Sequence, residues 1–224
     1  MSPTPSVCKL LADLHAYRLE HMASADLQVN VDQRRLLEDI ADRDAFVKPG
    51  DVVEPFSLPE VLGGTVDLEQ LLATGPVVLL FFRYEGCPAC NIALRHYQAE
   101  LYPPLAALGA TLVAVSPQVP GKLAAIRNRF GFPFPVGSDT GNGLARRFGI
   151  TFTASPASQA HARARGGDLG EVLGTGAWEL PMPTIVVIGQ DRVVRFADVH
   201  PDWLVRTEAG VVIDAVRALV PVPA

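Results

Sequence analysis

One stretch of this 224-residue sequence decides the fold: Val77-Val-Leu-Leu-Phe-Phe-Arg-Tyr-Glu-Gly-Cys-Pro-Ala-Cys90. Its first six residues form a continuous apolar run, which is typical of a central strand with both faces buried. Pro88 directly follows Cys87, and proline is favoured as the first residue of a helix, where its missing N–H would have no partner anyway. The stretch therefore predicts a buried strand, a short turn and a helix that begins between two cysteines.

The two cysteines are placed for thiol chemistry. Cys87 falls at about the N-cap of the predicted helix and Cys90 in its first turn, near unpaired backbone N–H groups and the positive end of the helix dipole. That environment favours the thiolate, which is the reactive form of cysteine. The two-residue spacing lets the sulfurs close a disulfide, so that one can attack a substrate and the other can resolve the product. We predict a redox dithiol.

A metal site is the main alternative for this pair, because a Cys-x-x-Cys sequence can supply half of a structural zinc site. The two further ligands would have to come from Cys8 and the five histidines, and none of these shows paired spacing. A pair of inert buried thiols is the other alternative. We expect neither a metal nor a bound organic cofactor, since Gly141-Asn-Gly143 is too short for a nucleotide-binding fingerprint.

Strand and helix patterns alternate on both sides of the cysteines, which predicts an α/β layered fold with parallel strands. The last two strand patterns adjoin each other and predict an antiparallel edge. Residues 154–176 are expected to form a loop or insertion with little helix. Further strands are predicted at 111–115, 184–188 and 193–197, and helices at 88–108, with a break at Pro103-Pro104, at 121–130 and at 209–219.

The chain begins with two helical patterns, marked by Val7, Leu10, Leu11 and Leu14 and then by apolar residues near Leu37. We expect an N-terminal helical extension over residues 1–46, followed by the main domain over residues 47–224. The two helices should form a hairpin that packs on the main domain or on a second subunit, as in a homodimer. Cys8 is expected to be an inert thiol or to join an intersubunit disulfide.

Composition narrows the classes of partner. The chain is 49% hydrophobic and has a net charge of −5, so a basic patch for nucleic acid or an anionic membrane is not expected. No apolar stretch approaches the length needed to span a bilayer, and the first residues do not combine a basic segment with an apolar run. We therefore expect a cytoplasmic protein with neither a nucleic-acid nor a membrane partner.

Seven short motifs recur in a familiar order over about residues 48–218. Together they resemble the peroxiredoxin-like AhpC/TSA group of the thioredoxin superfamily. The resemblance implies a thioredoxin-like fold, with a mixed central sheet flanked by helices. It also implies a thiol-dependent antioxidant oxidoreductase that reduces hydroperoxides or disulfides and is re-reduced by a thioredoxin-like or low-molecular-weight thiol. The motifs are Gly50-Asp51, Phe56-Ser-Leu-Pro59, Gly75–Arg83, Cys87-Pro-Ala-Cys-Asn91, Ser116-Pro117, Ser138-Asp139 and Phe148-Gly149-Ile150.

The resemblance leaves the roles of the cysteines open. Aligned with peroxiredoxins, Cys90 falls on the attacking cysteine and Cys87 on a threonine. Aligned with thioredoxins, Cys87 attacks and Cys90 resolves. A protein-disulfide reductase, and a non-enzymatic redox sensor with the helical hairpin as its interaction surface, are the alternative functions.

Three other residues acquire expected roles from the same alignment. Met182-Pro183 resembles the thioredoxin cis-proline, which predicts a cis bond and a Met182 backbone that faces the dithiol and pairs with an extended substrate. Pro183 also stands where peroxiredoxins often carry an arginine near the peroxide. Arg83 replaces the proline that opens their active-site loop; it is expected either to stabilise a thiolate and bind a peroxide oxygen or to pair with a carboxylate such as Glu85. Tyr84 and Trp178 are expected to line the site or simply to pack.

Overall fold

A computed structural model describes residues 4–220 of the chain. Its centre is a mixed five-stranded sheet in which the strand order is β5-β4-β3-β8-β9, and two smaller two-stranded sheets, β1-β2 and β6-β7, flank it. The strands are β1 (Ser57–Pro59), β2 (Thr65–Asp67), β3 (Val77–Phe81), β4 (Thr111–Ser116), β5 (Val136–Ser138), β6 (Thr151–Thr153), β7 (Glu179–Pro181), β8 (Thr184–Ile188) and β9 (Val194–Val199).

The apolar run that decides the fold forms the central strand. β3 pairs in parallel with β4, so that Phe81 lies opposite Val115, and antiparallel with β8, so that Phe81 lies opposite Thr184 on the other side. β9 then extends the sheet antiparallel to β8. The α/β fold with an antiparallel edge is therefore confirmed.

Both faces of β3 are covered because its side chains alternate between two hydrophobic cores. Val78 and Leu80 join one core with residues of the helix that follows the cysteines, including Leu94. Val77 and Leu79 join the core on the opposite face. A strand buried on both faces reads as an unbroken apolar run because neither face can carry a solvated polar side chain.

Ten α-helices surround the sheets within residues 4–220. The predicted break after the cysteine helix is confirmed, since one helix ends at Glu100 and the next begins at Tyr102, just before the two prolines. The helices are α1 (Val7–His21), α2 (Ser24–Ile40), α3 (Leu68–Leu72), α4 (Pro88–Glu100), α5 (Tyr102–Ala107), α6 (Pro120–Phe130), α7 (Gly143–Arg147), α8 (Pro156–Ala164), α9 (Leu169–Leu173) and α10 (Ala209–Arg217).

The two N-terminal helices pack on the rest of the same chain. α1 places Val7 and Leu11 in the core that contains the α4 side chains. α2 places Leu37 in a third cluster, together with Phe152 and Trp203. The side chains of Val7, Leu11 and Leu37 are each at most 1% exposed. Burial this complete shows that the helices form part of the packed structure.

The expectation of a loop with little helix over 154–176 is wrong. Ser155 caps α8 by accepting a hydrogen bond from the Ser158 N–H at 3.2 Å, and Pro156 takes the first helical position. Asp168 caps α9 in the same way. Capping residues thus start two short helices in a stretch whose glycines and arginines weaken the helical pattern. Within residues 4–220, no helix combines the length and apolar character that crossing a membrane requires.

Candidate active site

The turn that carries the cysteines is fastened to the end of β4. The Ser116 hydroxyl donates a hydrogen bond to the Arg83 carbonyl at 3.1 Å, and the Glu85 N–H donates to the Gln118 side-chain oxygen at 3.0 Å. Gln118 in turn donates to the Val172 carbonyl at 2.9 Å. Polar residues at and just after the carboxyl end of β4 therefore hold the turn in place at this end of the sheet.

Cys87 caps α4, as the sequence predicts. Its sulfur accepts a hydrogen bond from the Cys90 N–H at 3.3 Å, and Pro88 occupies the first helical turn. Cys90 lies in the same turn, one residue beyond Ala89. Both cysteines are free thiols, and their exposed fractions are 0% and 1%. The dithiol is thus reduced in this structure and closed to bulk solvent.

Arg83 provides the second polar contact of the Cys87 sulfur. Its Nη2 donates a hydrogen bond to Cys87 Sγ at 3.0 Å, while its guanidinium carbon lies 4.6 Å from the ring centroid of Trp203. Glu85 does not pair with Arg83, because it forms an ion pair with Arg129 at 2.6 Å instead. Of the two roles expected for Arg83, the structure therefore supports contact with a thiolate.

The two cysteines differ in acidity. Burial alone would raise the pKa of Cys87, but the hydrogen bond from Cys90 and the positive charge of Arg83 outweigh it and hold this pKa well below the usual thiol range. Burial raises the pKa of Cys90, and the neighbouring Cys87 raises it further. Both shifts favour a thiolate on Cys87 and a thiol on Cys90.

The comparisons with known proteins agree with this geometry. A model of the AhpC/TSA family matches residues 49–197, which is most of the chain and includes both cysteines. The chain belongs to the AhpC/TSA family. A Mycobacterium tuberculosis protein named as a candidate peroxiredoxin is 33% identical over 104 residues, which cover 46% of this chain and 67% of that protein.

Solved structures of this family share the fold. The crystal structure of peroxidoxin BcpB from Mycobacterium tuberculosis is 26% identical, with a TM-score of 0.60, over 78% of this chain and 99% of that chain. A thiol peroxidase from Chromobacterium violaceum, 15% identical, has a TM-score of 0.57 over 77% of this chain and 88% of that one, and supports the fold alone. This AhpC/TSA protein therefore has the thioredoxin-like fold and is a thiol-dependent peroxidase by family.

The prediction of a cis bond before Pro183 is wrong, because residues 4–220 contain no cis peptide bond. The Met182 N–H donates to the Ile150 carbonyl at 2.7 Å, and the Met182 carbonyl accepts from the Thr184 hydroxyl at 2.9 Å. The Met182 N–H is therefore already used within the fold, and its carbonyl already accepts one hydrogen bond. The pairing of β7 with β6 keeps this segment extended up to Pro181, and the chain then passes through Pro183 directly into β8.

Sequence reasoning missed two residues of the site, Trp203 and Arg206, which lie in the segment between β9 and α10. Trp203 is 4% exposed and lies against Arg83. Arg206 is 6% exposed, donates to the Trp203 and Val205 carbonyls, and lies close enough to lower the pKa of Cys90 slightly against the effect of burial. Only a turn signal precedes them in the sequence, so nothing local indicates that they lie beside the cysteines.

A cavity of about 230 Å³ opens beside Arg83. Tyr84 and Trp178, which were expected either to line the site or to pack, both line this cavity. Trp203 and Phe152 complete its aromatic surface. Two of its walls come from α2 and α8. Among the described residues 4–220, no group of three or more histidine, cysteine or acidic side chains is arranged to hold a metal ion.

Proposed function

We propose that this chain reduces hydroperoxides with Cys87 as the attacking thiolate, Cys90 as the resolving thiol and Arg83 as the group that binds the peroxide oxygens. One observation carries the proposal: the 3.0 Å hydrogen bond from Arg83 Nη2 to Cys87 Sγ, made without a competing carboxylate. A guanidinium in this position can stabilise the thiolate before attack and the departing oxygen during it. Arg83 thus supplies the positive charge that the proline at position 183 cannot.

The first step consumes the peroxide. The Cys87 sulfur attacks the terminal oxygen of R–O–O–H, the O–O bond breaks, and Cys87 becomes a sulfenic acid. The electron pair of the broken bond leaves on the R–O oxygen, which takes up one proton to give the alcohol, or water where R is hydrogen. Arg83 lies beside the sulfur that gains the oxygen, so its charge faces the atoms on which negative charge develops.

The second step uses Cys90. Its sulfur attacks the sulfenic sulfur of Cys87, an S–S bond forms, and the hydroxyl leaves as water with the Cys90 proton. The dithiol has then given two electrons to the peroxide. An external thioredoxin-like or low-molecular-weight thiol restores it by disulfide exchange. Placing Cys87 rather than Cys90 in the attacking role follows the thioredoxin alignment of the pair.

Protein-disulfide reduction is the second candidate, favoured by the position of Cys87 at the start of α4 in a Cys-x-x-Cys sequence. Two observations weigh against it. Neither sulfur is exposed, and the Met182 N–H that would pair with a substrate peptide already donates to the Ile150 carbonyl. Cytoplasmic location and a homodimer stay predictions.

Stopped-flow mixing of the reduced protein with hydrogen peroxide tests the proposal, with oxidation followed by tryptophan fluorescence and by the consumption of peroxide. We expect a second-order rate constant far above that of a free thiol such as dithiothreitol at the same pH. A rate equal to that of the free thiol would contradict peroxidase function. Reduction of insulin in the presence of dithiothreitol, run beside it, tests the disulfide reductase.

A further inference from the structure

The segment between β9 and α10 carries an arginine that lies inside the protein. Arg206 is 6% exposed, and its Nη1 donates hydrogen bonds to the Trp203 and Val205 carbonyls. Its Nη2 is buried and has no hydrogen-bond partner in the structure of residues 4–220. A guanidinium stays protonated in proteins, so Arg206 brings a positive charge into the interior.

A hydrogen bond places the segment of Arg206 against the helix that carries the cysteines. Cys90 and Tyr97 lie two turns apart on α4 and therefore share one face of the helix, and both are buried. The Tyr97 hydroxyl donates to the Thr207 carbonyl at 2.7 Å. The residue next to Arg206 is thus fastened to the face of α4 on which Cys90 lies.

Trp203 holds the other end of the same segment. Its ring centroid lies 4.6 Å from the guanidinium carbon of Arg83. The Cys8 thiol donates a hydrogen bond to the Arg206 carbonyl at 3.3 Å, so α1 also fastens the segment. Residues 203–207 are therefore fixed between Arg83 and the cysteine-bearing face of α4.

Within residues 4–220 no carboxylate forms an ion pair with Arg206, because the acidic side chains of the surrounding segment have other partners. They are Asp198, which pairs with His200, Asp202, which pairs with Arg34, and Glu208, which accepts hydrogen bonds from the Val7 and Cys8 N–H groups. Tyr97 is an uncharged donor, since burial raises its pKa. Buried charges in proteins are usually paired. The group that can supply a negative charge to Arg206 is therefore the dithiol.

The state of Cys87 decides whether Cys90 can carry that charge. In the reduced pair, burial and the neighbouring Cys87 raise the pKa of Cys90, whereas the positive charges of Arg83 and Arg206 lower it. Once the Cys87 sulfur has taken up an oxygen, it is no longer a thiolate, and its repulsion of a second thiolate ends. The charges of both arginines then favour a thiolate on Cys90.

We propose that Arg206 is a positioning residue for the resolving step, in which it stabilises the thiolate that Cys90 forms once Cys87 has become a sulfenic acid. This inference rests on the proposed peroxidase function. The Cys90 sulfur attacks the Cys87 sulfur, the S–S bond forms, the S–O bond breaks, and the hydroxyl leaves as water with the proton that Cys90 released. Arg83 thus serves the first sulfur and Arg206 the second.

Separating the two steps of a single turnover tests this inference. Reduced protein is mixed with hydrogen peroxide in a stopped-flow instrument, tryptophan fluorescence follows the phases, and the Cys90→Ser protein, which lacks the resolving step, identifies the phase that belongs to it. Arg206→Met removes the charge and Arg206→Lys keeps it. Arg217→Met is the matched control, because this arginine of α10 is exposed and pairs with Asp214 at the surface.

We expect Arg206→Met to slow the resolving phase about tenfold at neutral pH and to leave the first phase within about threefold, because Arg83 still contacts Cys87. The loss should shrink as the pH rises, since Cys90 without this charge forms its thiolate at higher pH. Arg206→Lys should stay within about threefold of the unmodified protein in both phases, and Arg217→Met should change neither phase.

Thermal melting verifies that each variant is folded, and Arg206→Gln, whose amide can still donate to a main-chain carbonyl, replaces Arg206→Met if that protein does not fold. An unchanged resolving phase, equal slowing of both phases, or slowing by the same factor at every pH would overturn the role of Arg206 but leave the peroxidase intact. Absence of reaction with hydrogen peroxide in the unmodified chain would instead overturn the peroxidase proposal.

Discussion

The dithiol turn, residues 83–90, and the cavity wall made by α2 and α8 lie side by side but are built in different ways. The turn is local: Arg83, Cys87 and Cys90 lie within eight residues, and a strand end and a helix start fix their positions. The wall is assembled from residues more than a hundred positions apart, as the Gln33–Ser155 hydrogen bond shows. The comparison teaches that the residues of the dithiol are positioned by local structure, whereas the surface beside them depends on long-range contacts.

The largest expected effect is that of removing the attacking sulfur. Cys87→Ser should lower peroxide turnover on the order of a thousandfold or more, because no other group replaces the nucleophile. Cys90→Ser should also abolish turnover but should still consume one equivalent of peroxide and stop as a Cys87 sulfenic acid. Trapping with dimedone, followed by peptide mass spectrometry, reads out the difference. A trapped sulfenic acid on Cys90 in the Cys87→Ser protein would reverse the roles.

Removing the charge beside the sulfur should have the next largest effect. Arg83→Met keeps a side chain of similar length but loses the guanidinium, so the rate with hydrogen peroxide should fall about 10²- to 10³-fold. The pKa of Cys87 should rise toward its ordinary range. Because less of its Cys87 is thiolate, the rate of the variant should rise more steeply with pH than the rate of the unmodified protein.

Arg83→Lys is the matched control for this charge, because it keeps the charge but cannot reproduce the planar guanidinium. We expect an intermediate rate and a pH profile closer to that of the unmodified protein. If Arg83→Met kept the pH profile and the activity of the unmodified protein, Arg83 would be a packing residue only.

Trp203 joins the two regions, since it lies against Arg83 and also lines the cavity. Trp203→Ala should lower the free energy of unfolding by about 3–5 kcal/mol and the hydrogen peroxide rate about tenfold, since the ring both fills the core and holds the guanidinium. Trp203→Phe should recover much of both. Urea titration and stopped flow measure the two effects, and an alanine variant with unchanged stability and rate would remove Trp203 from the site.

The smallest effect is expected at the remaining cysteine. The Cys8 thiol is half-buried and donates a hydrogen bond to the Arg206 carbonyl at 3.3 Å, and burial raises its pKa. Serine can make the same hydrogen bond, so Cys8→Ser should keep turnover within about twofold and stability within about 1 kcal/mol. Non-reducing electrophoresis after peroxide treatment is the check; a dimer band that Cys8→Ser removes would show an intersubunit disulfide instead.

The same contrast explains what the sequence could predict. The β3 run, the Pro88 helix start and the cysteine spacing are local patterns, and the structure bears out the strand, the helix and the N-cap position of Cys87. Trp203 and Arg206 reach the site through tertiary packing, for which a linear sequence carries no local signal. The cis-proline prediction failed because similarity to a motif does not show which partners its backbone finds, and here Ile150 and Thr184 engage Met182.

The central claim is that the reduced enzyme holds its negative charge on Cys87. An ultraviolet titration at 240 nm, where thiolates absorb, measures this directly in the unmodified protein and in the Cys87→Ser and Cys90→Ser variants. We predict one thiolate that persists at pH values well below the ordinary thiol pKa in the unmodified protein and in Cys90→Ser, and that is missing in Cys87→Ser. A thiolate that persists in Cys87→Ser and disappears in Cys90→Ser would contradict the account.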